Sequence, residues 1–502
     1  MRDQGLGSWP RRRARMTPGK AALVQDGTPM SYADLDRAVT RLAHGLRARG
    51  VERGDRVAFL GLNSIEMVVT VLATARLGSV SVPVNTRLAA PELAHVLDHS
   101  GTRLLVVEDV FADAIQAPQV SGLGLGLETV GFTRAAGAGL EHLAVDDLTE
   151  IDEPIGLDDL FMIQYTSGTS GRPKGVMLTH GNVVWNVANL LVDVDIGSQE
   201  IALVTAPLFH TAALNQVLFP TILKGGTALI ETRFDAARAV DLIESQRVTL
   251  LFGVTSMYLA IAATPRFAGA DLSSLRLALS GGAPIPESLL RTWLDRGLMI
   301  IQGYGLTEAS PGTTMLRADE GVRKLGSAGT PCFFTDVRVV AGERDAEDGE
   351  PGEVLVSGPN VSPGYWQDDA ATAAAFEDGW LHTGDLASRD DEGYLRIVDR
   401  LKDMYISGGE NVYPAEVERA LHEHPAVAEC AVVGVPDEAW GEVGRAFVVV
   451  RAGEEVDEAD VLAHLEGRLA RYKLPRSVVF LPELPHNASG KLLKSRLREV
   501  SP

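Results

Sequence analysis

Short apolar runs alternate with longer stretches of helical periodicity along the first 330 residues. Ser31 and Asp34 have the spacing of a capping box, which predicts the start of a helix. Apolar residues then recur on one helical face, at Leu35, Val39, Leu42 and Leu46. Between the helical stretches, four apolar runs predict buried strands, at residues 57–60, 104–107, 202–204 and 249–252. This alternation predicts a large α/β domain with parallel strands.

The pattern changes after about residue 330. Strand-like runs at residues 337–340, 353–356 and 394–397 are separated by polar turns, which predicts a small β-barrel subdomain of antiparallel strands. The acidic stretch 342–350 is interpreted as a solvated loop. Further along, we predict helices at 414–424 and 458–470 and strands at 431–435 and 446–450. We therefore predict a large domain over residues 1–400 and a small, mobile α+β domain over 401–502.

Composition narrows the classes of function. With 502 residues the chain is long enough for more than one domain, and its net charge of −21 disfavours nucleic acid as a partner. Cys332 and Cys430 lack the spacing of metal ligands, which favours a reducing compartment. No apolar run reaches the roughly 20 residues of a membrane helix, and no secretion signal is recognised. We expect a soluble cytoplasmic protein without an integral membrane segment.

The most informative stretch is residues 165–175, which follows an apolar run. Glycines that allow close backbone approach, hydroxyl donors and one lysine predict a phosphate-binding loop. Pro173 before Lys174 and Gly175 after it exclude a Walker A motif, and Arg172 breaks the pattern of a nucleophile elbow. The predicted nucleotide-binding residues of this stretch are Thr166, Ser167, Gly168, Thr169, Ser170, Gly171 and Lys174.

This loop resembles the signature loop of the adenylate-forming superfamily, which includes acyl-CoA synthetases, peptide-synthetase adenylation domains and firefly luciferase. Six further segments match in the family's order. They are Pro207-Leu208-Phe209-His210, Ser280-Gly281-Gly282-Ala283-Pro284, Gln302-Gly303-Tyr304-Gly305-Leu306-Thr307-Glu308, Leu381-His382-Thr383-Gly384-Asp385, Asp399-Arg400-Leu401-Lys402-Asp403 and Pro485-His486-Asn487-Ala488-Ser489-Gly490-Lys491. Together the seven segments cover about residues 30 to 495.

The resemblance implies an ATP- and Mg²⁺-dependent acid:CoA ligase that forms an acyl-adenylate. It implies that Tyr304 stacks on adenine and that Asp385 binds the ribose. It also implies that Thr307 binds phosphate and Glu308 binds Mg²⁺, and that Lys491 contacts the substrate carboxylate and the α-phosphate. The remaining nucleotide-binding positions that it implies are Gly281, Gly282, Ala283, Pro284, Gly303, Gly305 and Arg400.

The resemblance also implies that the small domain changes orientation between the two half-reactions. Lys402 matches the hinge residue. Gly408 and Gly409 are then expected at the coenzyme A (CoA) channel. Further candidates for CoA binding are Trp440, Arg471 and Lys473.

The acid itself is expected in a pocket lined by His210, Leu214, Val254, Gly281, Gly305 and Pro311. Relatives selective for acetate or propionate carry Trp where this chain has Gly305, which favours a larger acid. Residues 209–212 offer no carboxylate for an amino group, which argues against an amino acid. No pocket arginine is identified that could bind a second carboxylate, so a neutral acid is expected. Medium- or long-chain fatty acids come first, and cinnamate- or benzoate-like aryl acids are the alternative. His210 either contributes to catalysis at the pocket or is a core residue.

Several alternatives stay open at this point. A separate carrier protein is the nearest rival to free CoA as the thiol acceptor, because the phosphopantetheine arm ends in the same thiol. Luciferase-like oxidation is more distant. A non-catalytic nucleotide-binding protein is the alternative from a different class, and a homodimer is not excluded.

Overall fold

The computed structural model describes residues 3–123, 127–135, 137–166, 173–282, 285–401, 403–407, 410–437, 440–466, 468–469, 471–486 and 492–500. The chain divides into two compact units, of which the first comprises Met1–Val337 and Val356–Leu381. The second comprises Arg338–Leu355 and His382–Pro502. This division groups residues 382–400 with the C-terminal segment, and the border after residue 400 stays a prediction.

Two sheets form the framework of the first unit. Their strands are β1 (Ala21–Gln25), β2 (Thr28–Ser31), β3 (Arg56–Leu60), β4 (Val80–Pro83), β5 (Thr102–Glu108), β6 (Glu128–Phe132), β7 (Leu160–Thr166), β8 (Lys174–Thr179), β9 (Ile201–Val204), β10 (Thr227–Ile230), β11 (Leu250–Gly253), β12 (Leu277–Gly281), β13 (Ile300–Gly305), β14 (Gly312–Met315) and β15 (Thr330–Pro331). One sheet has the order β15-β14-β13-β12-β11-β9-β10-β1-β2, and the other has the order β6-β5-β3-β4-β7-β8. The four apolar runs lie in β3, β5, β9 and β11, and β3 pairs with β5 and β9 with β11 in parallel. The predicted parallel α/β domain is confirmed.

The helices are α1 (Trp9–Met16), α2 (Tyr32–Ala48), α3 (Ile65–Leu77), α4 (Ala90–Ser100), α5 (Ala112–Gln116), α6 (Pro118–Ser121), α7 (His180–Asp193), α8 (Thr211–Ala213), α9 (Phe219–Lys224), α10 (Ala236–Ser245), α11 (Thr255–Ala262), α12 (Glu287–Leu294), α13 (Asp369–Ala375), α14 (Pro414–His422), α15 (Glu458–Leu465) and α16 (Lys494–Arg498). A π-helical stretch, Leu214–Leu218, joins α8 to α9. Ser31 and Asp34 form the predicted capping box of α2, and the apolar face of that helix is buried. In contrast, α3 is buried along its whole length, including Glu66 and Arg76, whose side chains form hydrogen bonds with backbone groups.

The strands after residue 335 lie mostly in the second unit. They are β16 (Asp336–Ala341), β17 (Arg344–Asp345), β18 (Gly352–Ser357), β19 (Phe376–Glu377), β20 (Trp380–Arg389), β21 (Leu395–Arg400), β22 (Tyr405–Ser407), β23 (Glu410–Val412), β24 (Val427–Asp437), β25 (Gly441–Val450) and β26 (Ser477–Phe480). One sheet contains β17-β16-β18-β20 in this order, with β21 paired to β20. Another has the order β23-β22-β25-β24, with β26 paired to β25. The strands expected after residue 330 are therefore confirmed.

Two further expectations can be compared with the described residues. None of the helices in these ranges has both the length and the apolar composition needed to cross a membrane. Cys332 and Cys430 are both buried free thiols.

Candidate functional site

The carboxyl ends of neighbouring parallel strands meet at one edge of the larger sheet. Four parallel strands lie side by side there, in the order β13-β12-β11-β9. Val254 follows β11, Gly281 ends β12 and Gly305 ends β13, so this edge brings together three positions predicted for the acyl pocket. Open α/β sheets bind ligands outside the carboxyl ends of their strands.

Thr166 and Lys174 are placed opposite each other at the two ends of the predicted phosphate loop. Thr166 ends β7, Lys174 begins β8, and the two residues are partners in this antiparallel pair. The hairpin therefore holds both ends of the loop together. Ser167, Gly168, Thr169, Ser170 and Gly171 lie outside the described residues.

Thr307 and Glu308 lie in a short 3-10 turn, Thr307–Ala309, directly after β13. The side chain of Asn360 fastens this turn, because its amide donates to the carbonyl oxygens of Ala309 at 2.9 Å and Gly312 at 2.8 Å. The backbone N–H of Ser362 donates to the carbonyl oxygen of Glu308 at 2.7 Å. The backbone that carries Glu308 is thus held from the segment of residues 358–366.

Tyr365, which sequence reasoning did not single out, contacts two of the predicted residues. Its hydroxyl donates to Oε1 of Glu308 at 2.9 Å, and the Nζ of Lys174 lies 4.9 Å from the centre of its ring. The sequence Pro363-Gly364-Tyr365-Trp366 could have drawn attention to this tyrosine, because two adjacent aromatic residues after Pro-Gly are unusual in a solvated loop.

The carboxylate of Glu308 is suited to Mg²⁺. This ion is often held by one or two carboxylates together with substrate phosphates, and by few other protein groups. Among the described residues, no cluster of three His, Cys, Asp or Glu side chains that could hold a metal by itself occurs.

His210 follows a segment that is tightly fixed in the core. Asn63 donates to the carbonyl oxygen of Ala206 at 2.9 Å and accepts from the N–H of Leu208 at 2.8 Å. The side-chain amide of Gln164 donates to the carbonyl oxygen of Phe209. The pKa of His210 is lowered to about 4, mainly by burial and in addition by the charge of Arg87. At neutral pH the imidazole is therefore uncharged, and its Nε2 is a buried atom without a hydrogen-bond partner in the structure.

The remaining predicted pocket residues differ in exposure. Leu214 is buried at the start of the π-helical stretch, whereas Val254 is 37% exposed. Among the described residues, the nearest atom to a Cβ added at Gly282 is Cγ1 of Val254, at 4.0 Å.

The backbone around position 305 accounts for the glycine there without reference to the acid. A Cβ at this position would lie only 1.8 Å from the carbonyl oxygen of Pro311, so a side chain here would need the backbone of the β13–β14 pair to shift. The absence of a side chain at Gly305 therefore carries less information about the size of the acid than the sequence suggested.

The second unit contains Asp385 and Arg400 as partners on β20 and β21. Nε of Arg400 lies 3.3 Å from Oδ1 of Asp385, whose residue is 8% exposed. Carboxylate oxygens accept hydrogen bonds, so the side chain of Asp385 suits the predicted contact with ribose hydroxyls.

The candidates for CoA binding also lie in the second unit. Trp440 is 39% exposed, and the guanidinium of Arg476 lies 5.7 Å from its ring centre. Arg471 and Lys473 lie in the same 3-10 turn. The Nζ of Lys473 donates to both carboxylate oxygens of Glu416, each at 2.7 Å. Lys473 is therefore already paired with a carboxylate, and binding of CoA to its ammonium group would compete with Glu416.

Several predicted residues cannot be placed, because they lie outside the described residues. They are Ala283, Pro284, Lys402, Gly408, Gly409 and Lys491. Their roles stay predictions.

Comparisons with known proteins agree with this geometry. Residues 10–366 match the family described as AMP-binding enzyme, and residues 416–491 match the AMP-binding enzyme C-terminal domain. A feruloyl-CoA synthase of Amycolatopsis sp is 52% identical over 499 residues, which cover 99% of both chains. An indoleacetate–CoA ligase of Aromatoleum aromaticum is 41% identical over 500 residues, and a long-chain-fatty-acid–CoA ligase of Mycobacterium tuberculosis is 39% identical over 507 residues. Each alignment covers 99% of this chain and 98% of the relative.

Solved structures show the same fold. ATP-bound MatB from Rhodopseudomonas palustris has a TM-score of 0.91 at 35% identity, covering 99% of this chain and 98% of that one. The o-succinylbenzoate CoA synthetase of Bacillus subtilis, in complex with ATP and magnesium ion, has a TM-score of 0.89 at 34% identity, covering 98% and 99%. The chain therefore belongs to the AMP-binding enzymes of the adenylate-forming superfamily and is an AMP-forming acid:CoA ligase.

Proposed function

We propose that the acid is an aryl acid of the cinnamate type, which the enzyme converts to its CoA thioester through an acyl-adenylate. The observation that carries this proposal is the 52% identity to feruloyl-CoA synthases from two genera, Amycolatopsis and Streptomyces, over 99% of the chain. The fatty-acid interpretation drawn from the sequence becomes the second candidate.

The nucleotide is proposed to bind along the sheet edge of the first unit. Thr166, Lys174 and Thr307 would contact the phosphates of ATP, and Tyr304 would stack on adenine. Glu308 would hold Mg²⁺, which neutralises phosphate charge when it is bound. The role proposed for the Asp385 carboxylate, as the resemblance implies, is to accept hydrogen bonds from the ribose.

Two displacements then give the product. A carboxylate oxygen of the acid attacks the α-phosphorus of ATP, and the bond to the β-phosphate oxygen breaks, so pyrophosphate leaves. The cation of Lys491 is proposed to stabilise the negative charge that gathers on the reacting groups. The thiol of CoA, after losing its proton, then attacks the acyl carbon, and AMP leaves with the oxygen that joined it to the acyl group.

The uncharged lining of the proposed acyl pocket supports the assignment of an aryl acid as the substrate. His210 is uncharged at neutral pH because burial lowers its pKa, so the wall would not favour a second carboxylate. Gly282 and Val254 lie at the strand ends, where a flat ring could enter. Leu214 supplies apolar surface.

Long-chain fatty acids are kept as a second candidate for one reason. The relative that is 39% identical over 99% of this chain is named as a ligase for them. An open, apolar pocket would accept an alkyl chain as well as a ring.

Competition between acids tests the proposal. The full chain is incubated with ATP, Mg²⁺, CoA and equal concentrations of ferulate, its saturated analogue, benzoate and dodecanoate, and the thioesters are quantified by mass. We expect feruloyl-CoA to dominate. Dodecanoyl-CoA as the main product would favour the second candidate and contradict the aryl assignment.

A further inference from the structure

Tyr365 lies between two groups of opposite charge. Its hydroxyl donates to the carboxylate of Glu308, while its ring faces the ammonium group of Lys174. Although both ions contact the same side chain, no ion pair joins Lys174 to Glu308 within the part of the chain that the structure describes. A tyrosine is suited to this place because its polar tip and its ring face attract opposite charges.

The backbone around Tyr365 is fixed to the strand that carries Lys174. Val176 and Tyr365 form an antiparallel bridge, and the N–H of Trp366 donates to the carbonyl oxygen of Gly175 at 2.7 Å. The N–H of Tyr365 itself donates to the hydroxyl of Thr372 at 2.9 Å. The ring has little freedom to move away from either ion.

We propose that Tyr365 is a positioning residue for the binding of ATP with Mg²⁺. By holding Oε1 of Glu308, it fixes the carboxylate with its other oxygen available to the metal, and by holding Lys174 over its ring it keeps this cation from neutralising Glu308. Both ions are then arranged before the nucleotide arrives, which lowers the cost of ordering them. This inference rests on the proposed roles of Glu308 and Lys174.

The test measures ATP binding to the full-length protein by calorimetry, with and without Mg²⁺. In Tyr365→Phe the ring stays over Lys174 and only the hydroxyl is lost. We expect the gain in ATP affinity that Mg²⁺ provides to fall about tenfold, in line with the loss of a hydrogen bond to a charged group. Tyr365→Leu should also weaken ATP binding without Mg²⁺, by about threefold, since Lys174 loses the ring.

Phe376→Leu is the matched control, because the Phe376 ring packs against Tyr365 with centroids 6.2 Å apart and its phenyl group has no polar atom that could bind Glu308. This variant should bind ATP with Mg²⁺ as the wild type does. The proposal is overturned if Tyr365→Phe retains the wild-type effect of Mg²⁺, or if Phe376→Leu loses as much. Acid-dependent pyrophosphate exchange by the wild type, measured on the same preparation, separates a failure of this inference from a failure of the ligase assignment.

Discussion

His180 is a buried histidine whose protonation links stability to pH. Its Nδ1 accepts a hydrogen bond from the N–H of Leu6 at 3.2 Å, and its ring lies 5.1 Å from that of Phe161. Burial lowers its pKa to about 4, with Asp159 acting in the opposite direction and Arg53 lowering it further. Above pH 6.5 neither the folded nor the unfolded state protonates this group. Between pH 6.5 and 4 only the unfolded state does, so stability falls as the pH falls.

We therefore predict a pH-dependent effect of His180→Gln. Between pH 7.5 and 5.0, His180 should contribute a loss of about 2 kcal/mol in the free energy of unfolding of the wild type, which the variant lacks. Denaturant unfolding at the two pH values measures this difference. The exposed His142, changed to Gln, serves as the control and should behave as the wild type. Equal pH dependence in all three proteins would contradict the assignment.

At the scale of single residues, motifs identified the chemistry but not the contacts. Lys174 and Glu308 were named from the sequence because their residue types and neighbours match a known pattern. Tyr365 was missed because its two partners are distant in the chain and only the fold brings the three together. Gly305 was interpreted through the substrate, whereas its close approach to Pro311 is a property of the backbone.

At the scale of elements, hydrogen bonds from the segment of residues 358–366 hold the turn that carries Glu308 in place. Asn360 is fully buried and uses both ends of its amide, since its Oδ1 also accepts from the hydroxyl of Thr335 at 2.8 Å. Removing the side chain takes one hydrogen bond from each of two carbonyl oxygens and one from the hydroxyl of Thr335, which keeps the bond that it accepts from Asn189.

Asn360→Ala should accordingly lower the free energy of unfolding by about 3 kcal/mol, because buried polar groups that lose their partners are costly. It should also weaken ATP binding in the presence of Mg²⁺, because the turn around Glu308 loosens. Calorimetric unfolding and ATP titration check both effects. Thr292→Ala, which removes an exposed bond to the carbonyl oxygen of Ser288, should change stability by less than about 0.5 kcal/mol. Similar losses in the two variants would refute the role of Asn360.

Local sequence signals predicted most elements but not all their limits. The capping box of α2 and the apolar runs of the parallel strands were sufficient to predict these elements, because each signal lies within a few residues of the chain. The helix expected at 458–470 ends at Leu465 instead, and Glu466 already has an extended backbone. The order of strands in the sheets depends on contacts between distant parts of the chain, so periodicity did not reveal which strands end at the same edge.

At the scale of the whole molecule, one lysine is predicted to serve only one of the two half-reactions. Lys491→Ala should lower the rate of acyl-adenylate formation by about 100-fold or more, because the developing charge loses its cation. Transfer from a supplied acyl-adenylate to CoA should remain unchanged. Stopped-flow measurement of each half-reaction separates the two rates.

Arg468→Ala provides a comparison within the same unit. Arg468 is an exposed cation that forms a long ion pair with Glu423, at 3.8 Å, and donates to the carbonyl oxygen of His464, so its removal should affect neither half-reaction. If Lys491→Ala slows both half-reactions equally, the assignment of this lysine to adenylation alone is wrong.

The central claim is that the acid is activated as an acyl-adenylate, and the fate of its carboxylate oxygens tests this most directly. Ferulate labelled with ¹⁸O in both carboxylate oxygens is converted to its thioester, and the products are examined by mass spectrometry. Attack of the carboxylate on the α-phosphorus predicts that one ¹⁸O appears in AMP and none in pyrophosphate. Label in inorganic phosphate together with ADP, or AMP without label, would contradict the account.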